Sequence, residues 1–133
     1  MKGVSVKEVR PGFLEIKILS SAYGEAGAHW MRTLSPPENG GYGRIFIQRF
    51  GANKRRYWHC YGPKDWYKGE SGINQDECPG AMFVWTSGKY ASVEAVDAIH
   101  NQSLGRDLGL ALSAYPQQDE NDLWEVTFRF DWP

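Results

Sequence analysis

The sequence predicts an α+β fold: an antiparallel sheet of about six or seven strands, with one principal helix at about residues 92–104 packed on one face. Three observations carry this. Apolar and polar residues alternate with a period of two through much of the chain. Fifteen Gly and seven Pro divide it into short elements. Only one segment, after Ser92, joins an N-cap residue to apolar positions at helical spacing.

The elements follow in order. Val4 and Val6 to Val9 form a first strand, Arg10-Pro11-Gly12 a turn, and Leu14, Ile16 and Ile18 alternate with Glu15 and Lys17 in a second strand. Ser20 to Gly41 loses this period and reads as a long loop holding a short helical turn around Glu25 to Met31. Tyr42 to Phe50 alternates again, Gly51 to Lys54 supplies turn chemistry, and Arg55 to Tyr61 resumes the alternation, which gives a hairpin. Gly62 to Gly80 is irregular and Ala81 to Thr86 is a further strand. Ser92 caps the helix, with Val93, Val96, Ile99 and His100 at helical spacing and Gly105 as its stop.

Residues 106–115 fit a strand through Leu108, Leu110 and Leu112, or a helical stripe through Leu104, Leu108, Ala111, Leu112 and Tyr115; the strand is preferred. Trp124, Val126, Phe128, Phe130 and Trp132 alternate with polar residues in a last strand, with the even-numbered set expected in the core. The 133 residues, 41% of them hydrophobic, suit one core, so residues 1–133 read as a single domain without linker or repeat.

Fifteen Lys and Arg against sixteen Asp and Glu leave a net charge of -1, which excludes attraction of the whole molecule to nucleic acid or to an anionic membrane. The start has no apolar core of signal-peptide length and no run approaches a membrane span, so a cytoplasmic protein without membrane contact is expected. Cys60 and Cys78 read as free thiols. His29, His59, His100, Cys60 and Cys78 lack the paired short spacings of a zinc site, so neither metal nor cofactor is expected. Asp76 with Glu77, and Asp119, Glu120 and Asp122, read as solvated acids in turns. Gly40-Gly41-Tyr42-Gly43 enters a strand, not a helix, and so is no phosphate loop.

The candidate site comes from the expected central hairpin. Counting outward from its turn sets Phe50 opposite Arg55, Gln48 opposite Tyr57, Phe46 opposite His59 and Arg44 opposite Tyr61. Ile45, Ile47, Trp58 and Cys60 then share the other face, and Ile and Trp belong in a core. The set left outside combines rings, guanidinium groups and hydrogen-bonding tips. Lys54 at the turn adds charge, and Lys64 and Trp66 follow on a glycine-bounded loop.

Three readings of this face stay open. It suits a protein-binding hot spot, it suits a stacking platform for single-stranded nucleic acid or a nucleotide, or the helix covers it and its rings are core. The preferred function is a small non-enzymatic binding protein of inhibitor, adaptor or immunity type that occupies a protein partner. No catalytic set stands out; an enzyme would have to be built on His59, His100 or Cys60.

Overall fold

The computed structural model describes residues 3–35, 37–61 and 72–130, with the backbone alone at 37, 38 and 59–61. The fold is α+β. The strands are β1 (Val4–Arg10), β2 (Phe13–Ile18), β3 (Ile45–Ile47), β4 (Ile73–Cys78), β5 (Phe83–Trp85), β6 (Ser92–Asp97) and β7 (Trp124–Phe130). The helices are α1 (Gly24–Leu34), the single turn α2 (Pro37–Gly40), α3 (Ala52–Tyr61) and α4 (Ala98–Leu112).

Five strands make one sheet in the order β1-β2-β7-β3-β5, while β4 and β6 pair separately. The sheet is mixed and not purely antiparallel: β7 enters between β2 and β3, parallel to β2 and antiparallel to β3. Its register puts Leu14 beside Val126, Ile16 beside Phe128 and Ile18 beside Phe130, and Ile45 beside Val126 across the other edge. These residues share one pleat face, so one side of the sheet is continuous apolar surface. The N-terminal hairpin and the alternation of β7 are as the sequence predicts; Val126 is buried while Thr127 and Arg129 are exposed.

Two helices cover that face. α1 replaces most of the expected loop, bringing Ala26, Trp30 and Leu34 to the core at four-residue spacing. Trp30 meets Phe83 and Phe128 edge to face, with ring centroids 6.4 and 5.8 Å away. Gly27 is required: a Cβ there would stand 1.9 Å from the Ser20 carbonyl oxygen, where the preceding 3-10 turn, Ser20–Tyr23, folds against the helix.

α4 corrects two expectations. It begins at Ala98, because Ser92–Asp97 pairs with β4 as a strand. It then runs through Gly105 to Leu112, where a strand was preferred. Leu104, Leu108 and Leu112 are all buried on its inner side. Burial of a Leu contributes about 1.5–3 kcal/mol, more than the roughly 1 kcal/mol that a helical Gly costs.

The expected hairpin partner of β3 is a helix. Both edges of Ile45–Ile47 are already taken, by β7 on one side and β5 on the other, so no edge remains for residues 55–61. Ile45 and Ile47 are fully buried as predicted, but Trp58, expected beside them, is 54% exposed.

Candidate functional site

The residues expected on one hairpin face are distributed over three places. Arg44 and Phe46 lie on the outer side of the sheet. The Arg44 guanidinium bonds both oxygens of Glu125, the closest at 2.8 Å, and stands 5.1 Å from the Phe46 ring centre. Gln48 belongs to the frame: its amide donates to the Glu120 carbonyl and its oxygen accepts from Phe50 and Gln117. This holds the acidic turn, where Asp119, Glu120 and Asp122 are exposed as expected.

Arg55 is also frame. Its guanidinium donates to the carbonyls of Ala81 and Phe50, each at 2.9 Å, and to that of Gln48. It takes up acceptors at the end of β3 and fixes the start of α3 there. Arg55, expected outside with the rings, is therefore held inward; its loss leaves the partly buried carbonyls of Ala81 and Gln48 without this donor, at a cost of about 1 kcal/mol.

Phe50, Lys54 and Tyr57 remain outside. Lys54, Tyr57 and Trp58 stand at i, i+3 and i+4 and so share one face of α3. Tyr57 is 65% and Trp58 54% exposed, and Phe50, in the turn entering the helix, is 48% exposed. The side chains of His59, Cys60 and Tyr61, together with Lys64 and Trp66, lie outside the described residues.

A polar cluster missed in the sequence lies between α1 and the β4–β6 pair. Asp76 and Glu77, read as solvated acids, are 4% and 9% exposed on β4. Asp76 accepts from Trp30 Nε1 at 3.1 Å and lies 2.8 Å from His29 Nδ1, whose Nε2 lies 2.9 Å from Ser92 Oγ. Burial pushes the Asp76 carboxyl above its ordinary range, and the bonds from His29 and Trp30 oppose this. Glu94, held by Arg32, completes the cluster 3.5 Å from His29 Nε2.

Ser92, His29 and Asp76 reproduce the hydrogen-bond chain of a hydrolase triad. Their surroundings do not serve acyl transfer. Glu94 Oε2 stands 3.5 Å from His29 Nε2, so a carboxylate competes with the Ser92 hydroxyl for the ring nitrogen that would have to act as its base. The cleft of about 240 Å³ between β4, β5 and α4 is bordered by Asp76 but by neither Ser92 nor His29. The chain is a structural clamp that holds α1 in one register on β4 and β6.

Among the described residues, His100 is held by a neighbour and Cys78 by burial. His100 Nδ1 lies 2.9 Å from Asp97 Oδ2 in the first turn of α4. Cys78 is a buried free thiol, its pKa raised well above the usual range by burial, which makes it a poor nucleophile. Among the described residues no group of three or more His, Cys, Asp or Glu is placed to hold a metal ion, and no helix is long and apolar enough to cross a membrane. No protein-family model matches the chain, and no curated protein resembles it in sequence.

Proposed function

We propose that the protein is a small binding domain that presents the outer face of α3 to an acidic surface on a protein partner. The observation that carries this is the pair Tyr57 and Trp58, 65% and 54% exposed on a helix whose Arg55 is tied to the frame. Two large rings that are more than half exposed on an anchored element lose little conformational freedom when they are covered. Tyr, Trp and Arg are the types that dominate interface hot spots. Lys54 shares the helix face of the two rings and residues 52–61 contain no acid, which favours an acidic complementary surface.

A single-stranded nucleic acid could engage the same groups, but the net charge of -1 gives little long-range attraction for a polyanion. The test is capture from native extract with the parent and with the Tyr57→Ala, Trp58→Ala double variant, with and without nuclease. Because both side chains are surface groups, the stability of the variant should stay within about 0.5 kcal/mol per site. Binding should fall by roughly thirtyfold or more, the equivalent of a 2 kcal/mol hot spot. Capture abolished by nuclease would transfer the site to nucleic acid; capture unchanged in a folded double variant would remove α3 from consideration.

A further inference from the structure

The start of α3 and the acidic turn lie side by side because one residue ties down both. Gln48 Nε2 donates to the Glu120 carbonyl at 2.9 Å, while the Gln48 carbonyl accepts from Arg55 on α3. Phe50 sits at the junction. Its N–H donates to Gln48 Oε1, its carbonyl accepts from Arg55, and its ring is about half exposed. Beyond Arg55 the helix carries Lys54, Tyr57 and Trp58 outward; beyond Gln48 the turn carries Asp119, Glu120 and Asp122, all exposed.

The charges on this surface are not consumed inside the chain. Among the described residues Lys54 enters no ion pair. Asp119 and Asp122 accept from N–H groups of their own turn, those of Asn121 at 2.8 Å and Gln118 at 3.2 Å. Glu120 contributes to the frame through its carbonyl, and its side chain is exposed.

A surface with a cation at one end, acids at the other and an exposed ring between them is complementary to itself after a half-turn. Two copies related by a two-fold axis beside Phe50 bring each Lys54 to the acidic turn of the other copy, so every contact is made twice. The net charge of -1 sets up little repulsion between the copies.

We propose that the acidic surface met by α3 is the 119–122 turn of a second copy of this chain, in a two-fold dimer. The inference rests on the docking role of α3 and names its partner. Rim charges of this kind contribute little affinity and mainly fix orientation, so the rings hold the dimer together and the charges set its register.

Sedimentation velocity of the full chain across a wide range of concentration reads the association, and the parent should pass from monomer to dimer. The Tyr57→Ala, Trp58→Ala variant should raise the dimer Kd by roughly thirtyfold or more. Lys54→Glu should raise it about tenfold, and it keeps α3 intact because an acid in the first turn of a helix is favoured by the helix dipole. Glu120→Lys with Asn121→Lys cancels the charge of the turn while sparing the two Asp that close it, and should also weaken the dimer.

The deciding sample is an equal mixture of the Lys54→Glu chain and the Glu120→Lys, Asn121→Lys chain. The mixed dimer regains one native contact, and in the other the new Glu meets a turn without net charge. It should therefore form about fivefold more tightly than either variant does with itself. A mixture no tighter than its components would overturn the proposal, as would a dimer indifferent to the ring variant. A parent that stays monomeric to about 1 mM would also overturn it. If the ring variant then still loses capture of another acidic protein from extract, the docking role of α3 stands without this partner.

Discussion

The two sides of α1 meet opposite surroundings. Ala26, Trp30 and Leu34 enter the apolar face of the five-stranded sheet, whereas His29, Arg32 and Thr33 meet the β4–β6 pair or one another through hydrogen bonds and charge. The apolar side stabilises by area and tolerates small shifts, since dispersion and hydration have no direction. The polar side is directional. His29 can satisfy Asp76 and Ser92 together in one rotation and one register of the helix only, so it selects among packings that the apolar side would accept nearly equally. Trp30 joins the two sides, with its ring against Phe83 and Phe128 and its N–H on Asp76.

If this division is correct, the largest loss of stability comes from the apolar side. Phe83→Ala empties a fully buried position between Trp30 and Phe128 and should cost about 3–5 kcal/mol in denaturant unfolding. His29→Ala should cost less, about 1–3 kcal/mol, which is the penalty of leaving a buried acceptor on Asp76 without its donor. It should also broaden amide NMR signals along β4 and β6, because the helix loses its register there. A His29→Ala loss larger than that of Phe83→Ala would reverse the comparison and make the polar cluster the main source of stability.

The same contrast explains what could be read in the sequence. β1, β2 and β7 are legible because each buries one face, so Leu14, Ile16, Ile18 and Val126 recur at every second position. α1 is obscured by Gly24 and Gly27, which look like breakers. Gly27 is in fact set by the close Ser20 carbonyl, and the spacing of Ala26, Trp30 and Leu34 was the available signal.

β4 gives no such signal. Its buried residues are Asp76, Glu77 and Cys78, and acids are buried there by partners distant in sequence that hydropathy cannot register. In α3, large amphipathic side chains occupy both odd and even positions, so alternation from Arg55 to Tyr61 does not distinguish strand from helix; the decision rests with β5 and β7, which already fill the edges of β3. The aromatic and basic composition of the candidate surface was visible. Its geometry was not.

The smallest effect is a drift with pH that only the polar side should show. Burial raises the folded-state pKa of Asp76 above the ordinary carboxylate value, so the folded protein takes up this proton before the unfolded chain does. Its contribution is therefore fully present below the unfolded pKa and is lost as pH rises through the raised folded value. Asp76→Asn removes the titration but keeps a group of similar size. On lowering the pH through that window, the difference in Tm between parent and Asp76→Asn should move in favour of the parent, as scanning calorimetry at a series of pH values would record. The corresponding difference for Phe83→Ala should stay flat, since no proton is exchanged on the apolar side. A gap that instead moves in favour of Asp76→Asn on acidification would mean that the bonds from His29 and Trp30 outweigh burial, and that the clamp stabilises the ionised carboxylate.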